Sequence, residues 1–88
     1  MFTLSKSQSS WSVYILKCND DTFYTGITID LDRRIDEHNN STKGAKYTRI
    51  RRPVKLIYSE IKEDKSSASK REYEIKKLSR EQKLGLVK

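Results

Sequence analysis

The sequence predicts an α+β domain: a small antiparallel sheet of three strands covered by helices, in the order β-β-α-β-α-α. Three observations carry that expectation. Two runs rich in β-branched and aromatic residues, Trp11 to Cys18 and Phe23 to Thr28, are separated by the turn-forming Asn19-Asp20-Asp21. After Asp30 the spacing of apolar residues changes from two to three and four. With 34% hydrophobic residues in a chain of 88, there is material for one modest core, and so for one small domain.

Taken in order, residues 1–10 are Ser-rich with Phe2 and Leu4 as apolar anchors and read as a flexible arm, leaving 11–88 as the domain. The two β-rich runs form a hairpin. Asp30 suits a helix N-cap, and Leu31, Ile35 and His38 then line one face of a helix to about Asn40. Residues 41 to 53 hold Gly44, the only proline and a cluster of basic residues, and read as a connecting loop. Val54 to Ile61 alternates apolar and polar residues except at Ile57. As the longest uninterrupted β run, it is expected at the centre of the sheet. Ser66 or Ser67 can cap a second helix from about Ser67 to Leu78, with Ala68, Ile75 and Leu78 inward. Ser79 with Gln82 three residues on is a capping box that opens a short last helix, with Leu84 and Val87 on one side.

Composition removes several function classes. No apolar run approaches the roughly 18 residues that span a bilayer, and MFTLSKSQSS lacks the apolar stretch of a signal peptide. The cytosol is the expected compartment. One cysteine, Cys18, cannot make an internal disulfide, and with one histidine it cannot build a Cys/His zinc site; a buried thiol at a strand end is its expected place. Against 12 acidic residues stand 19 Lys and Arg, a net charge of +7 that attracts polyanions. The charge is unevenly spread. Lys43, Lys46, Arg49, Arg51, Arg52 and Lys55 follow one another without an acidic residue, and a second basic block runs from Lys65 to the end, as expected if one face meets phosphates.

A few residues do not suit a core. Around the second helix Glu72 falls about 40° from Ala68, with Ile75 at about −20°, so a carboxylate sits on the inward stripe. Unpaired burial would cost several kcal/mol, so Glu72 is hydrogen-bonded, ion-paired, metal-bound or at the edge of a cleft. Glu74 points elsewhere and suits a solvated pair with Lys70 or Lys77. On the first helix Arg34 and His38 share a face, and such a pair could either bind a phosphate and move a proton or simply pack at the core edge. Tyr14 and Tyr24 flank the hairpin turn and share a face only if the loop between the strands is odd in length. Gly26, inside a strand, marks a close approach of a ligand or another part of the chain.

In order along the chain, Val13-Tyr14-Ile15-Leu16, Tyr24-Thr25-Gly26-Ile27-Thr28, Asp32-Arg33-Arg34-Ile35-Asp36-Glu37-His38-Asn39 and Ala68-Ser69-Lys70-Arg71-Glu72 resemble the successive motifs of the GIY-YIG nuclease domain. Residues 44 to 49 and 74 to 80 are similar to segments of its small single-domain bacterial members. The resemblance covers about Trp11 to Leu84. It implies a three-stranded antiparallel sheet flanked by helices, and hydrolysis of a nucleic-acid phosphodiester, DNA ahead of RNA, with one divalent metal, Mg²⁺ or Mn²⁺. Carried over, it makes Tyr14 the general base or the residue that orients the attacking water, with Tyr24 in support. Arg34 steadies the scissile phosphate, His38 assists proton transfer, and Glu72 holds the metal. Ser12-Val13-Tyr14 stands where the namesake motif has Gly-Ile-Tyr, and Ile27 where repair-type members have a lysine after the glycine; Lys46 is the candidate substitute phosphate contact. With Gly26, Lys43, Arg49, Arg51 and Arg52 it makes up the expected nucleic-acid-binding set. Targeting would then come from this domain or from a protein partner. The alternative function is a module on the same fold that binds nucleic acid without cutting it, and a third is a basic subunit that docks an acidic protein.

Overall fold

The structure is a computed structural model and describes residues 10–87. The expected arm therefore lies outside the described residues, except for Ser10. Three strands, β1 (Trp11–Lys17), β2 (Phe23–Thr28) and β3 (Lys55–Lys62), form one antiparallel sheet in the order β2-β1-β3. Between β2 and β3 lie helix α1 (Leu31–Asn40) and a single helical turn, α2 (Lys46–Arg49); α3 (Lys65–Lys76) and α4 (Arg80–Val87) follow. The expected element order holds, with α2 added inside what reads as plain loop.

The expectation that the third strand is central is wrong: β1 takes that place. The reason is burial on both faces. Val13, Tyr14, Ile15 and Leu16 are consecutive and all but fully buried, so side chains pointing both ways from β1 are covered, whereas β3 exposes Lys55, Ser59 and Ile61. A continuous apolar run is the mark of a two-sided strand, and length is not. The break in alternation at Ile57 is a bulge, because β1–β3 pairing jumps from Ile15 opposite Tyr58 to Leu16 opposite Leu56.

Alternation along β1 divides the core. Val13 and Ile15 pack with Ala68 and Ile75 of α3 and with Leu86 of α4, while Tyr14 and Leu16 pack on the other face with Leu31 and Ile35 of α1. Cys18 is buried in that second cluster, as expected of a thiol at a strand end.

The helix ends follow side-chain chemistry. Asp30 caps α1 by accepting from the Arg33 N–H at 3.1 Å. The cap of α3 is Asp64, neither Ser66 nor Ser67: its carboxylate accepts from the Ser67 N–H at 2.8 Å, and the helix starts two residues before the expected position. At α4 the Ser79–Gln82 capping box forms in both directions, at 2.9 and 3.2 Å.

Candidate active site

β1 and β2 are in the register that sets Tyr14 opposite Gly26, across a five-residue connection from Cys18 to Thr22. Tyr14 and Tyr24 therefore share the face that looks toward α1, with ring centres 6.4 Å apart. A Cβ at Gly26 would lie 2.6 Å from the Tyr14 hydroxyl and 2.8 Å from the ring carbon that bears it. The close approach that Gly26 marks is thus that of Tyr14, and Gly26 itself is buried.

The last turn of α1 brings His38 to the same place. It is fully buried, its ring centre is 5.8 Å from that of Tyr14 and 5.1 Å from that of Tyr24, and Nε2 lies 2.8 Å from the Tyr14 hydroxyl. Its Nδ1 lies 2.8 Å from Oγ1 of Thr48, which in turn donates to the Ala45 carbonyl at 2.9 Å. The chain of donors decides the tautomer. Because the one Thr48 hydroxyl proton goes to Ala45, Thr48 accepts from His38 Nδ1–H, and Nε2 is left to accept from Tyr14. The loop reaches this position because Gly44 passes against α1, where a Cβ would stand 2.6 Å from the Glu37 carbonyl oxygen.

Electrostatics keeps both rings neutral. Burial pushes the Tyr14 hydroxyl up to about 12, helped by Tyr24 and by the Glu72 carboxylate, while the Arg34 guanidinium beside it pulls the other way. Burial also pushes His38 down to about 4, with the positive charges of Arg34 and Arg52 adding to the effect and Glu37 opposing it. Arg34 is held by Glu37 at 2.8 Å and by the Lys43 carbonyl at 2.8 Å.

Glu72 comes from the other side of the sheet, on α3, and is near enough for its charge to act on Tyr14. Of the alternatives open to this carboxylate, the structure shows an ion pair: Lys76, one turn along the same helix, lies 3.3 Å away. Glu74, expected with Lys70 or Lys77, pairs with Arg71 at 3.2 Å. Among the described residues no three His, Cys, Asp or Glu side chains cluster as a metal site. Mg²⁺, however, usually keeps several waters and takes one or two carboxylates plus substrate phosphate, so a partly exposed single Glu72 fits that donor chemistry.

The basic loop divides into two kinds of residue. Lys43, Lys46 and Arg49 are exposed. Arg51 and Arg52 are turned back onto the protein. Arg51 pairs with Asp20 at 3.0 Å and lies 3.9 Å from the centre of the Tyr47 ring. Arg52 donates to the carbonyls of Glu37, His38 and Ser41 and so closes the C-terminal end of α1. Thr48 and Gly44 carry no site role on the sequence alone. A hint for Thr48 is that it is a small, uncharged, β-branched residue between the charged Lys46 and Arg49.

Residues 10–84 match the GIY-YIG catalytic domain. The chain belongs to the GIY-YIG family. It is 61% identical over 79 residues to a UPF0213 protein of Desulfotalea psychrophila, covering 90% of this chain and 72% of that one. A UPF0213 protein of Staphylococcus saprophyticus is 56% identical over 75 residues, 85% of this chain and 90% of the relative. Two solution NMR structures share the fold. One, of a UPF0213 protein from Bacillus halodurans, has a TM-score of 0.56 at 50% identity and covers 89% of this chain and 82% of its own. The other, from E. faecalis, has a TM-score of 0.59 at 50% identity, covering 84% and 78%. The GIY-YIG domain places the protein in a nuclease family, with nucleic acid as the substrate class. No helix among the described residues is long and apolar enough to cross a membrane.

Proposed function

We propose that this GIY-YIG domain is a divalent-metal-dependent endonuclease that hydrolyses phosphodiester bonds of DNA. The observation that carries the reading is the buried Tyr14 hydroxyl donating to a neutral His38 Nε2, with Arg34 beside it and Glu72 within electrostatic reach. With its ionisation pushed up to about 12, Tyr14 cannot wait as a phenolate. It can act as a relay: as water attacks phosphorus, Tyr14 takes a proton from the water and passes its own to His38 Nε2. The phosphorus–oxygen bond to the leaving group then breaks, and that oxygen takes a proton from solvent. Thr48 holds Nδ1–H, so the free lone pair of His38 is the one aimed at Tyr14. Arg34 offers a fixed positive charge to the phosphate oxygens, and Tyr24 packs against both rings to hold their angle. Mg²⁺ or Mn²⁺ would be held by Glu72 and would supply charge neutralisation at the phosphate.

The ion pair of Glu72 with Lys76 favours a second reading, in which the same surface binds nucleic acid and does not cut. Incubation of the purified protein with single-stranded, branched and duplex DNA and with RNA, with and without Mg²⁺ or Mn²⁺, separates the two. Metal-stimulated cleavage that is lost in Glu72→Ala, and reduced about 10²- to 10⁴-fold in Tyr14→Phe, is expected of general acid–base chemistry. If every substrate stays intact, or if Glu72→Ala cuts as well as wild type, the endonuclease reading falls.

A further inference from the structure

Beside the candidate site, at β2, the outer strand of the sheet among the described residues, lies a hollow of about 210 Å³ lined by Phe23, Tyr24, Thr25, Tyr47, Lys76 and Lys83. Phe23 packs on the α3 side of the sheet and Tyr24 on the α1 side, so a hollow that touches both wraps round the outer edge of the strand. Three of its six residues are aromatic and two are lysines. The Tyr24 and Tyr47 rings stand 6.0 Å apart and 27° from parallel. Two of the rings are also fixed by guanidinium groups: Arg51 over Tyr47 at 3.9 Å and Arg80 over Phe23 at 4.6 Å. Arg80 is tethered to the Asp21 carbonyl and Arg51 to Asp20, so both rings rest against anchored groups.

We infer that this hollow is a nucleobase subsite: it takes one unstacked base of a single-stranded nucleic acid, next to the phosphate held at Tyr14 and Arg34. The inference rests on the nuclease reading and extends it to the form of the substrate. Flat aromatic walls with cations at the rim are how proteins hold single strands, because every base has a π-face and every base carries a phosphate beside it. Size agrees, since drug-sized ligand sites run from roughly 300 to 1,000 Å³ and this hollow is smaller, suited to one ring system. Its place agrees too. Tyr24 touches both His38 and Tyr47, and Lys76 both lines the hollow and pairs with Glu72, so a base seated here sets the adjoining phosphate at the candidate catalytic groups. A base inside a duplex is stacked and paired and would have to be flipped out at a cost of a few kcal/mol. Single strands, frayed ends and flaps enter without that cost.

The test is metal-free binding by fluorescence anisotropy, which needs no cleavage. A short single-stranded oligodeoxynucleotide is compared with an abasic strand of equal length and charge, and with a blunt duplex. Wild type is expected to prefer the base-bearing single strand over both. In Tyr47→Ala that affinity should fall about 5- to 140-fold, the range for removing one base-stacking ring, and the preference over the abasic strand should vanish. Tyr47→Phe should retain it. Lys83→Gln should flatten the salt dependence and keep the base preference. Equal binding of base-bearing and abasic strands by wild type overturns the subsite with no appeal to any variant. A protein that cuts DNA yet ignores the bases overturns the subsite alone; one that binds no nucleic acid overturns the nuclease reading and the subsite together.

Discussion

Burial keeps both Tyr14 and His38 neutral, and for His38 that effect can be measured as stability. The folded His38 titrates near 4 and an unfolded histidine near 6.5, so between those values the unfolded chain binds the extra proton. The stabilisation from a neutral His38 is therefore complete above about pH 6.5 and is lost as pH falls toward 4, on the order of 3 kcal/mol in all. Urea unfolding followed across that window should show the loss in wild type and a flatter profile in His38→Gln; parallel profiles would show that His38 is not the group that titrates. Gly26 belongs to the same unit. Gly26→Ala puts a methyl group 2.8 Å from the carbon that carries the Tyr14 hydroxyl, so overpacking should cost about 1–3 kcal/mol and displace Tyr14 from His38. A Gly26→Ala protein with wild-type Tm would remove this account of the glycine. Part of this cluster is legible in the sequence, because Arg34 and His38 are one helical turn apart, whereas the shared face of the two tyrosines depends on a hairpin register that the sequence leaves open and the five-residue connection decides. Thr48 and Gly44 are not legible as site residues. Their roles depend on a loop folding back against α1, which no local spacing encodes.

At the scale of elements, caps and strand burial decide what residue patterns leave open. Asp64, Ser66 and Ser67 are all competent N-caps, and the sequence alone does not rank them. In the fold Asp64 accepts the Ser67 N–H. Asp64→Ala should accordingly lower stability by about 1 kcal/mol, while Ser66→Ala, on the exposed first turn, should be close to neutral. Thermal melts of the two variants check the assignment, and the reverse order would return the cap to the serines. Burial likewise decides the place of β3. Its length suggests a central strand, but Lys55, Ser59 and Ile61 are exposed, and among the described strands only β1 has four consecutive buried residues. The short α2 also escapes pattern reading, since four residues are too few to show a helical period, yet that turn carries Thr48 to His38.

For the whole molecule, a charge of +7 counts basic residues without saying which of them are free to meet phosphate. The fold sorts them. Arg52 holds three carbonyls around the end of α1, and Arg51 is held between Asp20 and Tyr47; their charge contributes to the overall field, but their donors are in use within the protein. Lys43, Lys46 and Arg49 are exposed along the same loop, on the side of the chain that brings Thr48 to His38. Phosphate contacts reveal themselves in salt dependence, because each one releases condensed counterions: the logarithm of the binding constant falls with the logarithm of salt by about 0.7 per contact on single strands and about 0.9 on B-DNA. Lys46→Gln and Arg49→Gln should each flatten that slope by roughly one such step and leave thermal stability within about 0.5 kcal/mol of wild type. Arg52→Gln should do the opposite, keeping the slope and losing about 1–2 kcal/mol as the α1 carbonyls lose their charged donor. Binding titrations at several salt concentrations, paired with denaturation of the same proteins, measure both axes. An Arg52→Gln variant that flattens the slope at unchanged stability would move Arg52 from the end of α1 to the nucleic-acid surface and reverse this division of the basic loop.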